Sequence, residues 1–276
     1  MRSLTRLAVP VAAAALLLAG CSSTADDNDD AAPAAEGDET TAPEEGAGEV
    51  SLLNEGMLTV CTNPPYEPFE YEEDGQVVGL DMDIVAEVAA DLGVELEIKI
   101  TPFEGIQSGA DLDSGNCDVV ASGITITEER EAKMDFSDPY FDADQGLLVP
   151  AGSGVASLED LDGLTVGVQT ATTGATFAAD NGLSTVEFED LGLQIEALRN
   201  GTIDAVINDI AVLGPFASDD FEVGTTFPTG EQYGLGIKTG NTALLDAVNA
   251  TLERIASDGT YEEIYTTYIG TAPSQG

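Results

Sequence analysis

The sequence predicts an α/β protein with mostly parallel sheets, built as two lobes on one plan. Three observations carry this expectation. Strand-like runs alternate with helical stretches along most of the chain, the pattern of parallel sheets covered by helices. The segments "LDSGNCDVV" (112–120) and "LRNGTIDAV" (198–206) share the pattern L-x-x-G-x-x-D-x-V. Each reads as a helix end, a glycine stop and a strand start. The tripeptide "LTV" precedes each of them, at 58–60 and at 164–166. Helix–glycine–strand grammar recurs in any α/β protein, but the same order met twice points to two lobes.

The N-terminus reads as an address. Arg2 and Arg6 flank a short basic region, Leu7 to Leu18 is apolar, and "LAGC" ends at Cys21. The apolar run is short for a membrane span and fits a secretory signal over residues 1–20. The small residues before Cys21 resemble a bacterial lipobox, in which the cysteine is lipidated. Residues 22–48 have no aromatic and no large aliphatic side chain and are rich in Ala, Asp, Glu, Pro and Gly. Such a segment buries too little apolar area to offset chain entropy, so residues 21–50 are expected to be a disordered acidic tether. A tether after a lipid anchor holds a domain near a membrane surface.

The globular part begins near Ser51. Leu58 to Val60 is a strand candidate. In "GLDMDIVAEVAADLG", Leu80, Ile84, Val85, Val88, Ala89 and Leu92 recur at helical spacing, with Asp81 and Asp83 at the front and Gly93 at the end. "VELEIKI" alternates, placing Val94, Leu96, Ile98 and Ile100 on one strand face. Further strand candidates are "LTVGV", "TVEFE", "DAVIN" and "YGLGIK". Leu244, Leu245, Val248, Leu252 and Ile255 mark a C-terminal helix.

Charge and composition exclude several functions. The chain carries 8 Lys+Arg against 52 Asp+Glu, a formal net charge of −44. Phosphate binding needs a basic face, so nucleic acid is not an expected partner. There is no histidine, and no Cys/His cluster has metal spacing, which removes zinc sites and Ser-His-Asp catalysis. No metal, cofactor or catalytic residue is expected. The acidity itself suits either adaptation to salt or a solvated surface.

Ligands of open α/β sheets bind beyond the carboxyl ends of the strands. Here those ends lead into Asn63 and "PPYEPF", into "SGITITEER", into "QTATTG", and into Asn208 and Asp209. Arg130 is a scarce cation placed just past a strand end, able to grip a carboxylate bidentately. It is equally able to pair on a surface helix with Glu131 or Asp135. The Thr172–Thr173–Gly174 turn can offer helix N-terminal N–H groups. Asp209 can receive an ammonium, or serve as an N-cap. Tyr66 and Phe103 can cover a ligand side chain. A cation, an anion and apolar rings facing one cleft suit a small zwitterion.

At these residues the chain resembles the bacterial family 3 extracellular solute-binding proteins, the amino-acid receptors of ABC importers. The matching stretches run in family order from "LTVCTNPPYEPFEY" through "CDVVASGITITEERE", "MDFSDPYF" and "LEDLDGLTVGVQTATTG" to "GTIDAVINDIAV" and "ASDGTYEEIY", over roughly residues 52–270. The resemblance implies a type II periplasmic-binding-protein-like fold with a hinge of two crossover strands. Lobe 1 is expected at 52–148 plus 239–270, lobe 2 at 149–238, and a tail at 271–276. The crossings are expected near Leu148–Pro150 and Ile237–Gly240. By the same resemblance Arg130 grips the ligand carboxylate, helped by Thr125, Thr172 and Thr173. Asp209 takes the ammonium, aided by Ser122 and Gly123. Tyr66 and Phe103 flank the side chain, and Asn63, Gln169 and Asn208 tune its choice. Three neutral amides favour a polar, glutamine-like ligand. For a cationic ligand, Glu67 or Asp142 is the expected source of a further carboxylate.

The implied partners are an amino acid, an ABC permease with its cytosolic ATPase, and the membrane through the lipid anchor; the protein is expected to be a monomer. Two rivals stand beside transport. One is a cyclohexadienyl dehydratase-like enzyme, which would need an acid/base pair near the ligand. The other is a sensing receptor not coupled to import. Cys61 and Cys117 form a disulfide-competent exported pair. If their strands run parallel, with Cys61 near one end and Cys117 near the other's start, the thiols stand apart. The sequence leaves both states open.

Overall fold

Two five-stranded sheets organise the chain in a computed structural model that describes residues 50–270. The expected signal peptide, Cys21, most of the tether and the 271–276 tail lie outside the described residues. In the first sheet, β1 (Met57–Thr62) is the hub. It pairs in parallel with β4 (Glu95–Ile100) on one side and β5 (Val119–Val120) on the other. The sheet is completed by β12 (Gly236–Ile237), antiparallel to both β5 and β6 (Asp135–Phe136). Between β1 and β4 come a small hairpin, β2 (Tyr71–Glu73) with β3 (Gln76–Val78), and helix α1 (Leu80–Leu92). α1 buries the face expected from its spacing and stops at Gly93, which adopts the left-handed conformation.

Short helices α2 (Phe103–Gln107) and α3 (Ala110–Asp113) connect β4 to β5. After β5 the "SGITITEER" segment leads into α4 (Glu128–Glu131). The second sheet has the order β11-β7-β10-β8-β9. Its parallel core is β8 (Thr165–Gln169), β9 (Ser184–Phe188) and β10 (Ala205–Asp209), linked by α5 (Thr173–Asp180) and α6 (Leu191–Arg199). β7 (Phe141–Pro150) runs antiparallel to β10 and to β11 (Phe221–Tyr233). A single turn, α7 (Ile210–Leu213), follows β10.

The chain therefore passes between the lobes twice, at Ser137–Tyr140 and at Gly234–Leu235. This corrects the expected crossings. Leu148–Pro150 is not a hinge but the end of a strand bonded on both sides, with Leu148 opposite Val206 and Val223. Its apolar run is buried because β7 is interior to the sheet; the turn-forming "AGSG" comes after it. Residues 141–148 thus belong with the second sheet. The stretch "YGLGIK", expected as one strand, is split: Tyr233 closes β11 and Gly236–Ile237 form β12. The C-terminal helices α8 (Thr242–Asp258) and α9 (Thr260–Ile269) return to the first lobe and pack on α1. Arg254 of α8 reaches Glu87 and Asp91 of α1 at 2.6 and 2.8 Å.

The cysteines are joined as Cys61–Cys117, with Cα atoms 5.7 Å apart. β1 and β5 are parallel, and Cys61 stands opposite Val120. The chain reaches β5 from the helical layer, however, so Cys117 sits against the face of β1 beside Phe103, Ile106 and Leu112. The parallel pairing of β1 and β5 does not hold the thiols apart, because Cys117 lies before the strand and not in it.

Candidate ligand cleft at the strand ends

The carboxyl ends of β1, β5, β8 and β10 converge, as the topology of open α/β sheets requires. The loops leaving them line one small cavity: Asn63 and Tyr66 after β1, Ser122, Gly123, Thr125 and Arg130 after β5, Gln169, Thr172 and Thr173 at the end of β8 and the turn beyond, and Asp209 at the end of β10. Phe103, at the start of α2, closes one side. Every expected ligand residue except Asn208 is on this surface. Asn208 is buried behind it, where its Nδ2 donates to Gln194 of α6 at 3.0 Å and its Oδ1 accepts from the Tyr66 hydroxyl at 2.8 Å. As the neighbour of Asp209 on a strand, its side chain points to the opposite face of the sheet.

Arg130 is buried, and not paired on a helix surface. The cap that starts α4 accounts for its place: Thr127 Oγ1 accepts from Arg130 N–H at 3.2 Å and holds the short turn. The guanidinium donates to Thr125 O at 2.8 Å and, across to the second lobe, to Ala171 O at 3.1 Å. It lies 5.4 Å from the centre of the Phe103 ring, a cation–π contact. Two of its five N–H groups go to carbonyls, and the fork remains able to take an anion. Burial pushes its pKa down, opposed by the negative charges of Asp209 and Glu231.

Asp209 occupies the N-cap position of α7 but makes no capping bond. Its carboxylate accepts from the Tyr66 hydroxyl at 2.7 Å, from the Tyr233 hydroxyl and from Gln145 Nε2. Burial pushes its pKa up, and the hydrogen bonds from Tyr233, Tyr66 and Gln145, with the Arg130 charge, pull it back. Thr172 caps α5, accepting from Ala175 N–H at 3.1 Å. Thr125 and Thr173 face each other across the lobes, 3.5 Å between hydroxyl oxygens. Asn63 donates to Thr101 O at 2.9 Å and accepts from Gln169 Nε2 at 3.3 Å. Gln169 Oε1 is buried without a partner, an acceptor left for another donor.

Gly123 is required where it stands. Its φ is +49°, and an added Cβ would lie 2.7 Å from Tyr66 Cε1. Its N–H donates to Asp81 Oδ2 at 2.8 Å. Behind it, Ser122 Oγ donates to Glu70 Oε1 at 2.6 Å. Burial pushes Glu70 well above the usual carboxylate range, with the Asp81 charge adding to the rise. Burial likewise raises Asp81 to about 6, against the hydrogen bonds from Gly123 and Tyr140.

Five further residues belong to the arrangement and were missed: Tyr233, Gln145, Glu231, Glu70 and Asp81. Gln145 was the most findable, a lone amide opening the apolar run of β7. Glu231 accepts from Gln145 Nε2 at 2.9 Å and from Thr173 Oγ1 at 3.1 Å. Glu67 and Asp142, the carboxylates expected to serve a cationic ligand, are exposed and line other surface hollows. Both side chains face away: in its loop Glu67 sits between the buried Tyr66 and Pro68, and on β7 Asp142 alternates with the buried Ala143.

Residues 58–271 match the family model for bacterial extracellular solute-binding proteins, family 3. The chain belongs to this family. Among its relatives is a probable histidine-binding protein of Neisseria gonorrhoeae. It is 33% identical over 245 residues, spanning 85% of this chain and 88% of the relative. The ABC transporter glutamine-binding protein GlnH of Bacillus subtilis is 35% identical over 209 residues, 73% of this chain and 76% of GlnH. A solved structure of an ancestral arginine-binding protein bound to arginine superposes with a TM-score of 0.73. It is 38% identical, and the match covers 78% of this chain and 99% of that one.

Proposed function

We propose that this protein is the extracytoplasmic substrate-binding component of an ABC importer and takes a polar amino acid into the cavity between its lobes. The observation that carries the reading is the pairing of Arg130, from the first lobe, with Asp209, from the second, on one buried surface. A cation for the carboxylate and an anion for the ammonium meet a free amino acid at both ends. Thr125, Thr172 and Thr173 assist at the carboxylate; Ser122 and Gly123 lie at the ammonium end. Tyr66 and Phe103 flank the side chain.

A glutamine-like side chain fits the far end best. Asn63 and Gln169 are neutral there, and the unpartnered Gln169 Oε1 suits an amide N–H. Contacts to both lobes favour the closed form over the open one. The closed receptor then delivers its ligand to a membrane permease driven by a cytosolic ATPase. It is a monomer held to the membrane through lipidated Cys21 and the acidic tether. Relatives named for histidine and glutamine binding support receptor function over dehydratase chemistry.

A thermal-shift screen of the twenty amino acids, followed by calorimetric titration, tests the reading. Stabilisation by glutamine and by few others is the expected result. A screen in which no amino acid raises the melting temperature would overturn it, and a sole response to arginine would replace the glutamine assignment.

A further inference from the structure

Two fully buried carboxyl groups lie directly behind the cavity. Glu70 closes the Tyr66 loop, its main chain bonded to that of Tyr66 in both directions. Asp81 sits in the first turn of α1. Each holds a group that lines the cavity: Ser122 Oγ donates to Glu70 Oε1 at 2.6 Å, and Gly123 N–H donates to Asp81 Oδ2 at 2.8 Å. The second Asp81 oxygen accepts from the Tyr140 hydroxyl at 2.7 Å. The second oxygen of Glu70, Oε2, is buried with no hydrogen-bond partner. The groups that face Glu70 are Ser122 from the β5 loop, Asp81 from α1, Tyr140 from the first crossing and Tyr66 from its own loop. None of these is a cation.

The chemistry turns on the Ser122 hydroxyl, which has one proton and two lone pairs. Asn63 N–H donates to it at 3.1 Å and takes one lone pair. One proton and one lone pair remain, to be divided between Glu70 and the cavity. Ionised Glu70 can only accept. It takes the Ser122 proton and leaves the lone pair to the cavity, where an ammonium needs an acceptor. Protonated Glu70 can donate to Ser122 instead. The lone pair is then used, and the Ser122 proton turns outward against any ammonium placed there. With no partner for Oε2, ionisation is costly until a positive charge arrives in front of Ser122.

We propose that binding of an amino acid's ammonium group expels a proton from Glu70, with Ser122 as the relay between ligand and acid. The only bond broken is the Glu70 O–H, and its proton passes to solvent buffer. This makes Glu70 a positioning residue that sets the polarity of Ser122 without touching the ligand. The inference rests on the amino-acid reading given above and adds a proton to it.

Calorimetric titration at fixed pH, in buffers of different ionisation enthalpy, tests it with L-glutamine and L-arginine as probes. The expected binding enthalpy changes linearly with that of the buffer, in the sense of proton release. Affinity rises with pH, approaching about tenfold per unit where one whole proton is released. Glu70→Gln keeps an acceptor oxygen for Ser122 but carries no acid proton, so binding survives and the buffer dependence is lost. Should that variant not fold, Ser122→Ala leaves both acids in place and cuts the relay, with the same loss expected. A buffer-independent enthalpy in the unaltered protein, or release undiminished in the variant measured, overturns the proposal. Where neither probe binds, the amino acid picked out by the thermal-shift screen replaces them, and a screen with no response overturns the amino-acid reading beneath the proposal.

Discussion

The Tyr66 hydroxyl donates to the Asp209 carboxylate at 2.7 Å, joining a first-lobe loop to the end of a second-lobe strand. The same oxygen lies 2.8 Å from Asn208 Oδ1, so its one proton serves two acceptors on β10. The aromatic residue expected to shield a ligand side chain thus also ties the lobes together. Tyr66→Phe should keep the ring packing and lose this tie. At about 1 kcal/mol for a net hydrogen bond, the ratio of closed to open molecules falls about fivefold. Interlobe fluorescence transfer would register the change; an unaltered distance distribution would show that the hydroxyl adds nothing.

Arg130→Ala should weaken amino-acid binding severely while leaving the fold intact. Truncating one partner of a buried charge pair costs about 2–5 kcal/mol, a loss of roughly 30-fold to over 1000-fold in affinity. Calorimetric titration and circular dichroism on the same sample separate lost binding from lost folding. Unchanged affinity would remove Arg130 from the site.

The Cys61–Cys117 bridge spans a sequence separation of 56 residues within the first lobe. Closing a loop of that length restricts the unfolded chain, and its removal should cost about 2–4 kcal/mol. Thermal melts with and without reductant, compared with a Cys61→Ser/Cys117→Ser double variant, give the number. Ligand affinity should change little, since neither sulfur lines the cavity.

Stability should rise as pH falls from 8 toward 5. Asp81 is raised to about 6 in the folded protein, above its ordinary unfolded value, so the folded state binds more protons between the two. Its penalty is fully present above the folded pKa and relieved as pH drops through about 6 toward the unfolded value. A shift of this size corresponds to roughly 3 kcal/mol. Neutralising part of the large negative charge acts in the same direction. Asp81→Asn should flatten the curve of melting temperature against pH; an identical slope would mean that Asp81 does not titrate in this window.

Much of this protein was legible in one dimension because the signals are local. The period of α1 was readable, with Gly93 ending it. The parallel character of the sheets was readable from strand candidates such as "LTV" alternating with helical stretches. Arg130, Asp209 and the two threonines of the β8 turn were readable from the rule that parallel sheets present their ligands beyond the strand ends. What the sequence determined by itself was therefore the class of fold, the family and the set of strand-end loops. Tertiary structure decided matters of pairing and direction. β7 belongs to the second lobe because it bonds to β10 and β11, which lie some sixty residues or more along the chain. Cys117 reaches Cys61 because the helical layer delivers it to the face of β1. Asn208, an expected ligand residue, turns away from the cavity, and Glu70, four residues after Tyr66, turns in behind Ser122. A side chain's neighbours along the chain constrain its backbone; which water it loses, and which charge it gains, depends on segments that only folding brings near.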